Sequence, residues 1–256
     1  MVSMGIDVGS ISAKAAVIED DRLIGSRVIL TGYNARKAGV AVYEELLSEL
    51  DIARETVDRI VATGYGRNSV DFAHKTVTEI TCHAKGAHFQ DPAIRTIIDI
   101  GGQDSKVITL NDTGAVKDFA MNDKCAAGTG RFLEVMARAL EVDLDGFGAL
   151  SLEARNPAAI SSLCTVFAES EVISLIAKGA ARADIIAGIH ESIAARVAAM
   201  TNRVGIRAPL MMTGGVAHNV GVVKALEAKL AMPVQVSAFA QVNGAIGAAC
   251  LAAGVA

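Results

Sequence analysis

Asp7-Val8-Gly9-Ser10 and Asp99-Ile100-Gly101-Gly102 are the first residues whose types and spacing could do chemistry. Each is an aspartate with a glycine two residues on, at the end of an apolar run. Glycine lets backbone N–H groups approach phosphate oxygens, and the carboxylate offers a hard oxygen to Mg²⁺, often through water. A third glycine-containing motif, Thr213-Gly214-Gly215, ends the apolar run Leu210-Met211-Met212. The other candidate chemistry is sulfur. Cys125 lies in the small-residue stretch Asn122-Asp123-Lys124-Cys125-Ala126-Ala127-Gly128-Thr129-Gly130-Arg131. Phe132, Leu133, Met136, Ala139 and Leu140 follow at spacings of three and four, so Cys125 is expected at or just before a helix N-terminus. Cys164, before Thr165-Val166-Phe167-Ala168-Glu169-Ser170-Glu171, has a similar setting. Unpaired N–H groups and the positive end of the helix dipole favour thiolate there.

The elements that must position these residues read as strands joined by short turns and helices. Met4 to Gly9, Ala13 to Ile18 and Arg22 to Leu30 are expected strands, the last two flanking a Glu19-Asp20-Asp21 turn. A helix through Ala38, Val42, Leu46 and Leu50 and a strand from Arg59 to Ala62 follow. The loop Thr63-Gly64-Tyr65-Gly66-Arg67 leads to a helix from Ile80 to Phe89. The pattern then recurs without a gap, at an offset of 92 residues: Asp7 falls on Asp99, Gly9 on Gly101, Lys14 on Lys106 and Asp20 on Asp112. A repeated strand, glycine loop, strand, acidic turn and strand implies two similar lobes. Beyond Cys125 come a Gly- and Asp-containing stretch near Asp143 to Leu152, the segment 158–165 and a helix over about Phe167 to Lys178. A long helix from Asp184 to Val204 stops at Gly205. A strand at Leu210 to Met212, a helix from Asn219 to Leu230, a strand at Val234 to Val236 and a helix from Val242 complete the chain.

At 256 residues the chain can bury a large core, expected as two lobes. Aromatics are only 4% and Trp is absent, so the interior must be built from Ala, Val, Ile and Leu. A formal net charge of -4 argues against a nucleic-acid binder and leaves no polybasic membrane patch. The uncharged stretch after Lys229 is broken by Pro233, Gln235, Ser237, Gln241 and Asn243, so it reads as a strand and a buried helix rather than a membrane span. Met1 to Gly5 carries no basic leader, and the four cysteines form no Cys-x-x-Cys pair. A reducing cytoplasm with free or metal-bound thiols is expected. No Gly-x-x-x-x-Gly-Lys-Ser/Thr occurs, which excludes a P-loop ATPase. The five histidines lie singly, with solvated or capping roles sufficient for each.

The two Asp-x-Gly loops and Thr213-Gly214-Gly215 together resemble the actin, sugar kinase and heat-shock chaperone superfamily. That resemblance implies an α/β, two-lobed ATPase fold with duplicated mixed-sheet domains. The lobes would be residues 1–93 plus about 238–256, and 94–237 carrying the cluster cysteines. It also implies that Asp7, Gly9, Ser10 and Ile11 form a first phosphate loop, and Asp99, Gly101 and Gly102 a second. Gly214, Gly215 and Val216 would hold adenosine. Lys14 would contact phosphate; a solvated strand lysine is the other reading. Gln103 and Asp104 would orient the attacking water or simply start a strand.

Within that superfamily the Cys125 stretch, Cys164 to Glu171, Thr63 to Asn68 and Met212 to Ala217 closely resemble one group. These are the ATP-dependent activators (component A) of 2-hydroxyacyl-CoA dehydratases, such as the 2-hydroxyglutaryl-CoA dehydratase activator. The related BadF/BadG/BcrA/BcrD ATPases include subunits of benzoyl-CoA reductases. The resemblance implies one [4Fe-4S] cluster per homodimer, held by Cys125 and Cys164 of each subunit, with ATP/ADP and Mg²⁺ as the other cofactors. Such a cluster takes four thiolates, and two-fold symmetry would supply the second pair. Cys82, beside His83, is the competing ligand, and Cys250 reads as core packing. The implied protein is an oxygen-sensitive cytoplasmic ATPase. It would take an electron from ferredoxin or flavodoxin and deliver it to a dehydratase component. Asp7, Asp99 and Gln103 are the expected catalytic residues, and Glu169 and Glu171 are candidates for the water-activating base. A small-molecule kinase, such as an amino-sugar kinase, is the alternative; a non-redox actin-like scaffold is the third.

Overall fold

The computed structural model describes residues 1–161 and 164–254. Ser162 and Leu163, inside the expected 158–165 lead-in to Cys164, lie outside the described residues. The chain divides into two compact units. One comprises Met1–Ile97, Ile108–Asp118 and the chain from Ala238 onward; the other comprises Ile98–Val107 and Phe119–Ser237.

In the first unit, strands β1 (Val2–Val8), β2 (Ser12–Glu19), β3 (Arg22–Leu30), β4 (Val57–Thr63) and β5 (Lys75–Thr76) form one sheet in the order β3-β2-β1-β4-β5. It is mixed: β1 runs antiparallel to β2 and parallel to β4, with Asp7 opposite Lys14 on one side and Thr63 on the other. Every residue of β1 is buried, as a central strand covered on both faces must be. Period-two alternation along β2 decides what packs where. Ala13, Ala15 and Val17 join a cluster with Val42, Leu46 and Leu47 of helix α1 (Ala35–Glu49). Ala16 and Ile18 join one with Ala245, Ile246 and Ala249 of the C-terminal helix (Asn243–Ala253). That helix lies so close to β1 that a Cβ on Gly5 would stand 2.0 Å from the Ala245 carbonyl oxygen. Truncating a fully buried core residue such as Leu46 to Ala should cost about 2–5 kcal/mol. Asn34 starts α1 by accepting from Lys37 N at 3.0 Å, and Thr78 Oγ1 caps α2 (Glu79–Gln90) through Thr81 N.

The second sheet has the order β10-β9-β6-β7-β8, from β6 (Thr96–Ile100), β7 (Ser105–Leu110), β8 (Val116–Asn122), β9 (Leu210–Thr213) and β10 (Val234–Val236). Written from the other edge it matches the first sheet strand for strand. The helices of the second unit are α3 (Gly130–Ala139), α4 (Leu144–Ser151), α5 (Thr165–Ala177), α6 (Arg182–Val204) and α7 (Val220–Leu230); α8 is the C-terminal helix Asn243–Ala253. Ile185, Ile189, Ile193 and Val197 form the buried face of α6, and Gly205 ends it at φ 66°.

Two details were not legible in the sequence. Asp143 to Leu152 holds a helix, α4, whose glycines masked its period. The acidic turns of the repeat also differ. Asp20 and Asp21 both take positive φ, whereas the second turn is an Asx turn closed by Gly114, with Asn111 Oδ1 accepting from Thr113 N and Ala115 N. Among the described residues no helix is long and apolar enough to cross a membrane.

Candidate functional site

Asp7 is the penultimate residue of β1, so its side chain is fixed by the sheet rather than by a loop. Lys14, across the β1–β2 ladder, places Nζ 3.3 Å from Asp7 Oδ2. Both side chains are largely buried, so Lys14 is not a solvated strand lysine. The turn between the strands closes through Gly9 N donating to the Ser12 carbonyl at 3.0 Å. Ser10 is exposed and Ile11 half-buried at its tip.

The same parts recur at the second loop. Lys106 Nζ stands 3.3 Å from Asp99 Oδ2, and Gly101 N donates to the Asp104 carbonyl at 2.9 Å. Lys106 also reaches Asp104 Oδ2 at 2.5 Å, and its side chain is only 2% exposed. A lysine buried to that degree keeps its charge because two carboxylates neutralise it. Asp104 therefore works as an ion-pair partner, while Gln103 is exposed beside it.

Sequence reasoning stopped the repeat at the third strand; the structure extends it. Thr63-Gly64 follows β4 beside β1, as Thr213-Gly214 follows β9 in the other sheet. Gly64 and Gly214 take φ of +89° and +85°. A Cβ on Gly64 would meet Asp7 Oδ1 at 2.4 Å, and one on Gly214 would meet the Ile100 carbonyl oxygen at 2.2 Å. Only glycine permits both the φ and the approach. Thr213 Oγ1 donates to Asp99 Oδ1 at 2.8 Å, whereas the buried Thr63 hydroxyl makes no such bond to Asp7 and faces the Cys82 thiol instead. The signal was present as a Thr-Gly pair after each strand, but its spacing from the aspartate differs between the copies. Beyond Gly214, Gly215 has open space where a side chain would be, and Val216 is buried.

The second loop is tied to the cysteine segment through the backbone. Gly130 N donates to the Gly101 carbonyl at 2.9 Å, and Arg131 N to the Gly102 carbonyl at 2.8 Å. These are the first two residues of α3, whose free N–H groups are thereby satisfied. Cys125 sits four residues before the N-cap Thr129, further from the helix than its apolar period suggested, because Ala126 to Thr129 form a tight turn. Asn122 Nδ2 donates to the Cys125 carbonyl at 2.8 Å and pins the segment. Cys164 is the N-cap residue of α5, exposed and without a capping side chain. Helices α3 and α5 pack against each other.

The remaining thiols differ. Cys82 and Cys250 are fully buried, and burial pushes both up to about 12. They are inert neutral thiols at ordinary pH. Cys125 and Cys164 thus supply two accessible thiols at or near helix starts, a donor set suited to half of a four-thiolate cluster.

Glu171 is not placed as a base: its carboxylate accepts from Ser161 N and Ser161 Oγ and so clamps the segment before Cys164. It and Glu169 lie beyond the first turn of α5. The histidines are not simply solvated either. His83 is bonded inside the first unit, and burial lowers His190 to about 4 where its ring meets Phe147 edge-on.

A profile of the BadF/BadG/BcrA/BcrD ATPase family matches residues 4–252. The chain belongs to the BadF/BadG/BcrA/BcrD ATPase family. It is 48% identical over 253 residues to the activator of lactoyl-CoA dehydratase from Anaerotignum propionicum, covering 98% of this chain and 97% of that protein. The crystal structure of (R)-2-hydroxyglutaryl-CoA dehydratase component A from Acidaminococcus fermentans superposes with a TM-score of 0.95 at 47% identity, over 98% of this chain and 97% of that one. The activator of the 2-hydroxyisocaproyl-CoA dehydratase from Clostridium difficile, solved with bound ADPNP, gives 0.93 at 44% identity, over 98% and 94%. A Streptomyces griseus ROK family glucokinase gives 0.61 at 13% identity, over 99% of this chain and all of that one, which shows the shared actin-like fold alone. The small-molecule kinase alternative is not favoured.

Proposed function

We propose that this protein is an ATP-hydrolysing activator that delivers a low-potential electron to a 2-hydroxyacyl-CoA dehydratase or a related acyl-CoA reductase. The observation that carries the proposal is the backbone link from Gly101 and Gly102 to Gly130 and Arg131. One short segment joins the second phosphate loop to the start of the helix behind Cys125. A change at the phosphates therefore has a covalent and hydrogen-bonded route to a cysteine. The near full-length similarity to dehydratase activators supplies the substrate class and partner.

Asp7, with Lys14, and Asp99, with Lys106, serve Mg²⁺ and the nucleotide phosphates, helped by the N–H groups around Gly9, Ser10, Ile11, Gly101 and Gly102. Each lysine stands 3.3 Å from its carboxylate and helps to hold it in one orientation for the metal. Gly214, Gly215 and Val216 receive adenosine, the bare Gly215 leaving room for a flat ring. Gln103, exposed at the loop tip, orients the attacking water. Cys125 and Cys164, with the same pair from a second copy, would hold a [4Fe-4S] cluster. When bound, that cluster would supply a one-electron donor. The dipole of α5, whose N-cap is Cys164, would favour its negative charge, and Val166 and Phe167, exposed on the single chain, would flank it. ATP and ADP states shift the start of α3 through Gly130, and only a difference in nucleotide affinity between those states can alter the redox chemistry. Lowering a one-electron couple by ~180 mV needs ~4 kcal/mol, within the range of such differences. A reduced ferredoxin or flavodoxin is the donor, the site of action cytoplasmic and anaerobic.

The test is reconstitution without air. The protein should be a brown dimer that supports dehydration of a 2-hydroxyacyl-CoA by its dehydratase only with ATP and a reductant. A colourless, air-stable protein that phosphorylates an amino sugar would refute the proposal.

A further inference from the structure

One buried polar chain in the first unit has no place in that scheme. It starts at Gln90 on α2, whose Nε2 donates to Asn243 Oδ1 at 2.7 Å and to the Gly86 carbonyl at 3.1 Å. Asn243, fully buried at the start of α8, turns its Nδ2 to the His83 carbonyl at 3.0 Å and to His83 Nδ1 at 3.2 Å. Gly86 allows the approach: a Cβ there would stand 2.2 Å from the Asn243 carbonyl oxygen. With Oδ1 accepting from Gln90, the Asn243 amide orientation is set. An amide NH₂ can only donate, so His83 Nδ1 accepts, and in the neutral ring the proton resides on Nε2.

That proton faces a specific place. A Cβ added to Gly244 would lie 3.0 Å from Asp7 Oδ2 and 3.1 Å from His83 Nε2. Gly244 thus leaves open the space that the imidazole edge and the Asp7 carboxylate share. Both groups are buried, at 8% and 5% exposure. Lys14 reaches the same oxygen, Oδ2, at 3.3 Å. Oδ1 points instead towards Gly64.

We propose that His83 is a positioning residue for the first phosphate loop. Held in one tautomer by Asn243, it presents Nε2–H to the Oδ2 side of Asp7, the oxygen that Lys14 also reaches, and leaves Oδ1 for the hydrated metal of a bound nucleotide. This rests on the proposal that Asp7 serves Mg²⁺ and phosphate. Groups that orient a metal-site carboxylate in this way are typically worth tenfold or more in metal affinity.

The test is a Mg²⁺ titration of ATP hydrolysis in the anaerobically purified protein, with thermal melting alongside. His83→Leu should raise the half-saturating Mg²⁺ concentration ~10-fold and leave the rate at saturating Mg²⁺ within about twofold. His83→Gln, which can put an N–H near the same point, should recover most of the shift. A role in packing alone would lower the melting temperature of both variants without moving the Mg²⁺ curve, and that result would overturn the inference. If His83→Leu does not fold, the His83→Gln and Asn243→Asp curves decide it: Gln near wild type with Asp shifted supports it, and both unshifted overturns it. Asp7→Asn separates the two levels. If it leaves the Mg²⁺ curve unchanged, the nucleotide-site proposal itself fails; if it shifts the curve while His83→Leu does not, only the role of His83 is lost.

Discussion

The two Asp-x-Gly loops are built to one plan and finished differently. In both, a lysine seven residues after the aspartate stands 3.3 Å from its Oδ2, and a glycine N–H closes the turn at 2.9–3.0 Å. Around Asp99 every polar group finds a partner: Thr213 donates to Oδ1, and Asp104 takes a second side of Lys106. Around Asp7 the equivalent of Asp104 is Ser12, the Thr63 hydroxyl faces the Cys82 thiol rather than the carboxylate, and Lys14 is 14% exposed against 2% for Lys106. The second loop is the more completely paired and is bonded to the start of α3, which on the proposed function suits it to transmit. The first loop is paired less completely, which on the same proposal leaves it the more open to the ligand.

The contrast can be broken by substitution. The largest effect should come from Lys106→Met, which leaves the buried Asp99 carboxylate without its cation and should cost about 3–5 kcal/mol by denaturant unfolding. Lys14→Met leaves a more accessible Asp7 and should cost about 1.5–3 kcal/mol. Equal losses would contradict the asymmetry. Next, Thr213→Val should cost about 1–3 kcal/mol because Asp99 Oδ1 loses this donor, while Thr63→Val, which removes a hydroxyl that faces only the Cys82 thiol, should cost less. Smallest is Ser12→Asp, which copies Asp104 into the first loop. It should stabilise the free protein by about 0.2–1 kcal/mol and weaken nucleotide binding, measured by calorimetry. Tighter binding instead would show that the first loop gains nothing from its freedom.

The sequence made the hairpin repeat legible because Asp, Gly and Lys recur at a fixed offset, and the structure pairs those same residues. Strands β3 and β10, the end of α6 and helix α7 fall where propensity and capping residues put them: Gly205 and Asn219 are signals with a mechanism. Helix α4 was hidden by its glycines. The Thr63-Gly64 and Thr213-Gly214 correspondence was hidden because insertions of different length precede each. Nothing in spacing alone could show that Gly130 and Arg131 bond the second loop, or that Glu171 turns back to Ser161, since both depend on chain segments meeting in space. The buried chain from Gln90 to His83 spans more than 150 residues and is likewise invisible to local pattern.

The central claim, that Cys125 and Cys164 hold a cluster shared between two copies, is tested most directly by counting iron. Protein purified without air should carry about two iron atoms per chain, four per pair. The iron should be lost in Cys125→Ser and in Cys164→Ser and kept in Cys82→Ser and Cys250→Ser. Iron that survives both of the first two substitutions, or a wild-type monomer that binds none, would contradict the account.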